Sequence, residues 1–290
     1  MGTLAADMPD LGVATAPASS ANLGPGFDAL ALALELRCRC EAEPADRWLI
    51  DERGQRYEPA AGDLVVRAVA AAVGVRPMRI TIANAIPRSR GLGSSSAVAT
   101  AAAAAAMRAC GTEPTDRRLF EMVAELEGHP DNAAAAVYGG LVAAYGGVVR
   151  RLPLAPDLTV VVGIPDTHLS THKARAALPG GVRHAVAART VARVVMLVDG
   201  LRTGDAATLA AAGGDELHEA PRHDLSPITR QLMESARSAG ALHAAWSGAG
   251  PSVIAFATPA VRDAVADAMR HRLADGGEVA VLQVAERGWE

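Results

Sequence analysis

The sequence predicts an α+β protein built in two halves. Three observations lead there. Segments of alternating apolar and β-branched residues are interspersed with segments of helical spacing. The pattern halts in a proline-bearing stretch near 150–157 and starts afresh with a strand. A chain of 290 residues, half of them hydrophobic, is long enough for two small domains. The two halves are expected at 1–154 and 155–290.

In the first half, "LGVATAPA" (11–18) and "FDALALALELRCRCEAE" (27–43) read as strands around a glycine-proline turn. "LVVRAVAAAVGV" (64–75) has helical spacing and stops at Gly74, a C-cap residue. "MRITIANAIP" (78–87) alternates β-branched residues and reads as a strand ended by Pro87. A helix follows, running to about Cys110. "TDRRLFEMVAELEG" (115–128) is a helix with Thr115 as N-cap and Gly128 at its end. "GGLVAAYGG" (139–147) is a strand between glycine turns.

In the second half, "DLTVVVGIP" (157–165) has the continuous apolar character of a strand covered on both faces. Helices are expected over about 183–203, 226–239 and 260–275. "ALHAAWSGAGPSVIAFA" (241–257) reads as strand, glycine loop, strand, and "GEVAVLQVAE" (277–286) as the last strand.

Composition removes several classes of function. The net charge is −4 and the pI near 6.1, which argues against nucleic acid or an anionic membrane as the main partner. Lys173 is the only lysine, a bias that coding composition explains. The first residues show no secretory signal, and Ala6 breaks the myristoylation spacing. No strongly apolar window is long enough to span a bilayer. Cys38, Cys40 and Cys110 have no metal-type spacing, and "RCRC" puts two thiols on one face of a strand. A reducing, cytoplasmic location fits.

The most informative stretch is "IPRSRGLGSSSAVATAAAAAA" (86–106), in which a strand gives way to glycines, three serines and an alanine run. Helix N-termini leave backbone amides unpaired and carry partial positive charge. Glycines let that backbone approach a phosphate, and serine hydroxyls donate to phosphate or ligate Mg²⁺. No lysine follows the glycines, so this is not a Walker loop, and Ser96 stands where a dinucleotide fingerprint needs glycine or alanine. A serine-capped helix after a glycine turn is the plain alternative. Two further segments, "PASSANLGPGFD" (17–28) and "WSGAGPS" (246–252), make three independent turns a poor explanation.

Together these segments resemble the three motifs of the GHMP small-molecule kinases, named for galactokinase, homoserine kinase, mevalonate kinase and phosphomevalonate kinase. "PRSRGLGSSSA" (87–97) is similar to the family's ATP loop. "PASSANLGPGFDALALAL" (17–34), "EGHPDNAAAAVYGG" (127–140) and "HEAPRHDL" (218–225) resemble its homoserine kinase branch. The resemblance implies an N-terminal half like ribosomal protein S5 domain 2 and a ferredoxin-like C-terminal half. ATP and substrate sites would lie between them.

The resemblance also implies roles. Pro87, Arg88, Ser89, Arg90, Gly91, Leu92, Gly93, Ser94, Ser95, Ser96 and Ala97 would form the ATP site. Ser95 and Glu127 would hold Mg²⁺, with Glu121 and Glu125 on nearby turns as other choices. The acceptor would be L-homoserine, with Arg175 and Arg222 on its carboxylate and Asn22, Asp28 and Asn132 facing the amino acid. Asn22, Asp28, Asp131 and Thr171 are the candidates for a catalytic role, although an evident base is lacking. Lys173 shares the segment of Thr171. Asp63 stands where family members often carry asparagine near the adenine, and "HEAPR" replaces the commoner "HEPYR". A homodimer is a family-level expectation. The other readings are a GHMP kinase acting on an isoprenoid or sugar alcohol, and a GHMP-fold sensor without turnover.

Overall fold

The structure is a computed structural model that describes residues 11–290. Residues 1–10, where the sequence shows no secretory signal, lie outside the described residues. In chain order the first part comprises β1 (Gly12–Ala21), β2 (Leu30–Pro44), β3 (Leu49–Glu52), β4 (Gln55–Tyr57), α1 (Leu64–Val73), β5 (Met78–Asn84), α2 (Ser94–Ala109), α3 (Asp116–Glu127), α4 (Asp131–Tyr138), β6 (Leu141–Tyr145) and β7 (Val148–Leu152). The second comprises β8 (Thr159–Pro165), α5 (Thr171–Ala176), α6 (His184–Thr203), α7 (Ala206–Ala211), α8 (Glu219–Arg222), α9 (Pro227–Ser238), β9 (His243–Trp246), β10 (Val253–Ala257), α10 (Arg262–Leu273) and β11 (Gly277–Leu282).

β1 to β7 form one sheet in the order β4-β3-β5-β2-β6-β7, with β1 paired to β2. β8 to β11 form a second sheet in the order β11-β8-β10-β9, all antiparallel. That order, with helices between β8 and β9 and between β10 and β11, is the ferredoxin-like arrangement. The change of sheet falls between Leu152 and Thr159.

The second sheet explains the unbroken apolar run "TVVVGIP". Val160, Val162 and Ile164 of β8 and Ile254 and Phe256 of β10 join the core shared with the first sheet. Val161, Val253 and Ala255 face the other way, into a core with Leu232 of α9 and Met269 of α10. With both faces covered, neither parity of the strand can be polar.

The alanine run of α2 has a matching cause. Ala101 to Ala106 have no exposed surface. The helix is threaded through the middle of the first part, and only methyl side chains let β1 come this close. At Gly12 of β1, an added Cβ would sit 1.9 Å from the Ala105 carbonyl oxygen. β1 and β2 slip register at Pro17 and Ala18, where proline's missing N–H breaks no ladder bond.

Several sequence expectations shift in detail. The second strand begins at Leu30 rather than residue 27, because Ala29 and Leu30 both donate to the Gly26 carbonyl and prolong the turn. The first strand runs on to Ala21, since the motif's small residues pair with β2. The last strand stops at Leu282. Beyond it the chain crosses to the first sheet: Val284 bridges Leu34, and Glu290 exchanges two hydrogen bonds with Thr15. The hairpin β3–β4, the strand β7 and the short helices α4, α5, α7 and α8 were not foreseen. Cys38 and Cys40 are buried with their sulfurs 3.9 Å apart. Among the described residues no helix is long and apolar enough to cross a membrane.

Gly12→Val tests the packing of β1 on α2. Its side chain overfills a site bounded by helix backbone, so a loss of about 1–3 kcal/mol is expected. A denaturant titration at unchanged slope reads it.

Candidate active site

A cleft of about 370 Å³ opens where the two glycine loops meet. Its floor is set by the segment after β5. Asn84 ties the two ends of this segment together: its Oδ1 accepts from the Ile86 amide and its Nδ2 donates to Ser94 Oγ, each at 3.0 Å. Between them, Gly91 and Gly93 have φ of +75° and +64°. An added Cβ at Gly91 would lie 2.1 Å from the Ser247 carbonyl oxygen, and at Gly93 2.0 Å from Ser19 Oγ. Both positions therefore require glycine for conformation and for space.

The loop is gripped from both sides. The Ser19 amide donates to the Leu92 carbonyl at 3.1 Å. From the second part of the chain, Ser247 Oγ donates to the Gly91 carbonyl at 2.6 Å, and the amides of Leu169 and Ser252 donate to the carbonyls of Ser89 and Arg90. Gly93 is the N-cap of α2 and has no side chain to cap it. The first amides of this 16-residue helix stay free at the wall that Ser94 and Ser95 contribute to the cleft. A helix terminus of this kind suits an anion.

Glu127, the last residue of α3, also lines the cleft. Its Oε2 accepts from Ser95 Oγ at 3.1 Å and from Ser96 Oγ at 2.9 Å. Glu121 is bound instead to Arg117 at 2.8 Å on the exposed face, and Glu125 is exposed. Hydroxyl and carboxylate oxygens are the donors a hard divalent cation takes. Among the described residues no three His, Cys, Asp or Glu side chains cluster as a cage. An ion here would complete its shell from phosphates and water.

The far end of the cleft is charged. Arg175 makes a two-pronged contact with Asp28, Nη1 to Oδ2 at 3.0 Å and Nη2 to Oδ1 at 2.7 Å. Arg222, 2% exposed, donates through Nε to the Ala174 carbonyl at 3.0 Å. Burial, followed by the charge of Arg175, lowers the Arg222 pKa to about 10, so it remains a cation at neutral pH. The Phe27 ring lies 5.5 Å from the Arg175 guanidinium and 5.6 Å from that of Arg222. Its negative π face offsets part of the repulsion between them.

The remaining candidates are committed to neighbours. The Asn22 amide donates to the Gly248 carbonyl and accepts from the Asp28 amide, both at 3.0 Å. Asp131 Oδ1 is bound to His129 Nδ1 at 2.9 Å and to the Asn132 amide at 2.7 Å. Desolvation lowers the His129 pKa, but the hydrogen bond and charge of Asp131 outweigh it and the net shift is upward. Asn132 Oδ1 accepts from Ser19 Oγ at 2.8 Å. Thr171 opens α5 at the cleft wall.

Three members of the expected ATP stretch do not line the cleft. Arg90 turns to the Pro165 carbonyl and Asp166, while Ser96 and Ala97 are fully buried. Lys173 is exposed and also stands outside. Sequence reading missed Phe27, Tyr57 and Ser170 in the lining, whereas His129, which flanks a site motif and reads from the sequence as a structural hydrogen-bonder, does line the cleft. Phe27 lies inside the motif "PASSANLGPGFD", so its motif context could have flagged it. Tyr57 sits in the short exposed strand β4, which carries no periodic signal.

Comparison with known proteins agrees with this geometry. Sequence profiles of the GHMP kinases N terminal domain and the GHMP kinases C terminal match residues 62–140 and 197–275. The homoserine kinase of Moorella thermoacetica is 38% identical over 252 residues, covering 83% of this chain and 85% of that protein. The homoserine kinase of Thermus thermophilus is 37% identical over 287 residues, covering 97% of each. The crystal structure of homoserine kinase from Cytophaga hutchinsonii superposes with a TM-score of 0.86 at 26% identity, over 98% of both chains. With relatives this similar over nearly its whole length, the chain belongs to the GHMP kinase family.

Proposed function

We propose that this chain transfers the γ-phosphoryl group of ATP to the side-chain hydroxyl of L-homoserine, giving ADP and O-phospho-L-homoserine, a step toward threonine. The observation that carries the reading is one cleft with two chemistries. An uncapped helix N-terminus stands at one wall, and two guanidiniums with a carboxylate gather at another. The first suits polyphosphate. The second suits a zwitterion, with Arg175 and Arg222 toward the carboxylate and Asp28 toward the ammonium. A sugar alcohol offers no charge to either group, and an isoprenoid acid such as mevalonate offers a carboxylate but no ammonium for Asp28.

In the free protein Asp28 and Arg175 satisfy each other. A homoserine zwitterion would exchange this internal pair for two external ones, so charge need not be left unpaired at any stage. Mg²⁺ fits Glu127 and Ser95, where it would neutralise phosphate charge. Thr171 and the free amides of α2 complete the surroundings of the transferred group. Both aspartates considered as bases are engaged, Asp131 with His129 and Asp28 with Arg175 in the free protein and with the substrate ammonium once homoserine is bound. Transfer therefore rests on alignment and charge stabilisation rather than on a dedicated base. An ADP-release assay across homoserine, mevalonate and galactose tests the assignment. Homoserine should be the preferred acceptor by at least ~10²-fold in kcat/KM, and preference for either other alcohol rules the assignment out.

Two substitutions test the parts. Glu127→Gln keeps the shape and the serine contacts but removes the charge, and kcat should fall at least ~10²-fold. If Glu121→Gln gives that loss instead, the metal assignment is in error. Arg222→Leu removes a charge-assisted contact worth roughly 1.5–3 kcal/mol. The homoserine KM should rise by about one to two decades, since ~1.4 kcal/mol is tenfold. The ATP KM should stay within about threefold, as expected for loss of uniform binding at one substrate only. Steady-state kinetics in both substrates read the difference, with 3-aminopropanol as the acceptor lacking a carboxylate.

A further inference from the structure

His218 is wholly buried and belongs to none of the roles above. It is nevertheless the link between two site segments. Its Nδ1 lies 3.0 Å from Arg222 Nη1, and its Nε2 lies 2.7 Å from the Gly24 carbonyl oxygen. Arginine has only donors and a carbonyl oxygen only accepts. The two partners therefore dictate one protonation state: Nδ1 carries the lone pair and Nε2 carries the hydrogen. The Phe27 ring stacks on the imidazole at 5.1 Å between centroids and 23° between planes, which fixes the ring's tilt.

Arg222 depends on this arrangement. Nε is taken by the Ala174 carbonyl, and Nη1 by His218 with a long contact of 3.4 Å to the Gly248 carbonyl. Among the described residues Nη2 has no protein partner, and Arg222 lines the cleft. Without an acceptor on the His218 side, the guanidinium would lose its one side-chain partner and be free to swing about Cδ–Nε.

We propose that His218 is a positioning residue: as the neutral Nε2–H imidazole it accepts from Arg222, anchors to Gly24, and so aims the Arg222 guanidinium at the substrate carboxylate. This rests on the proposed homoserine reading, in which Arg222 meets that carboxylate. Electrostatics agree with the geometry. Burial is the main force lowering the His218 pKa to about 4; Asp215, 3.7 Å away, favours the charged form and Arg222 opposes it. Asp215 is itself occupied, accepting from the amides of His218 and Glu219 at 2.7 and 2.9 Å.

Two near-isosteres separate the two hydrogen bonds. In His218→Asn the side-chain oxygen overlays Nδ1, keeping the acceptor for Arg222 and losing Gly24. In His218→Gln the amide reaches the Nε2 position, keeping Gly24 and losing the acceptor. The expected result is a rise of about tenfold in homoserine KM for Gln and less than about threefold for Asn. ATP KM and kcat should stay within about twofold in both. Equal effects in the two variants, or an ATP KM that rises in step, would reduce His218 to a packing role and overturn the proposal.

Imidazole ¹⁵N spectra of the wild-type protein supply a readout that needs no substrate and no folded variant. The resonance assigned to His218 by through-bond correlation should stay in the neutral Nε2–H form at pH 5.5, below the ordinary histidine midpoint. The buried His243, whose pKa burial also lowers to about 4 and whose Nε2 lies 2.9 Å from the Leu23 carbonyl oxygen, gives a second neutral signal that the assignment sets apart. A His218 resonance in the Nδ1–H or the charged form at that pH would also overturn the proposal. If wild type fails to phosphorylate homoserine, the functional reading falls. The spectra then still decide the His218–Arg222 bond, and the KM comparison passes to whichever alcohol is turned over.

Discussion

The site depends on one steric constraint: no side chain fits between the glycine-serine loop before α2 and the 247–252 loop. Gly91 has backbone of Ser247 where its Cβ would be, and Ser247 Oγ bonds the Gly91 carbonyl. Ser19 occupies the corresponding space at Gly93. The loop is thus clamped between a strand of the first sheet and a turn of the second. Its conformation holds α2 with its first amides open to the cleft, and the buried alanines of that helix let it stand directly behind them. The fold supplies a rigid electropositive point without a lysine.

The acceptor end follows a different logic. Two guanidiniums close together repel, and one of them is almost fully buried. The surroundings offset this with a carboxylate on Arg175, an aromatic ring in reach of both, and carbonyl and imidazole acceptors on Arg222. Glu219 adds a further control. Burial, partly opposed by the hydrogen bond from the Trp246 amide, raises its pKa to about 7. It is then substantially protonated at neutral pH, so α8 does not bring a full second negative charge to cancel Arg222.

The two-part α+β architecture was legible because both halves carry strong local signals. Thr115 and Gly128 cap α3 as expected, and Gly74 ends α1. The hairpin at 49–57 was not legible, because its strands are only four and three residues long, β4 is exposed throughout and β3 buries only Ile50, too little for a periodic signal. α4 was hidden for the opposite reason: its alanines are buried all round and show no stripe. The crossing of the C-terminal residues to β1 is a long-range pairing with no local signature. At the site, the glycine-serine loop was legible from chemistry, and Glu127 came from the family resemblance, as the helix glutamate directly before "GHPDN". The pairing of Asp28 with Arg175 was not legible, because it joins residues 147 apart. The engagement of Asp131 by His129 is local, but sequence alone does not tell a free carboxylate from a bonded one.

Titration calorimetry of Gly91→Ala with Mg²⁺ and a non-hydrolysable ATP analogue addresses the constraint most directly. The methyl group must displace backbone on one side of the clamp, and the α2 amides should lose their aim at the phosphates. The predicted result is a folded protein, by circular dichroism at the assay temperature, whose Kd for the analogue is at least ~10-fold weaker than wild type. A folded variant that binds the analogue as tightly as wild type would contradict the account.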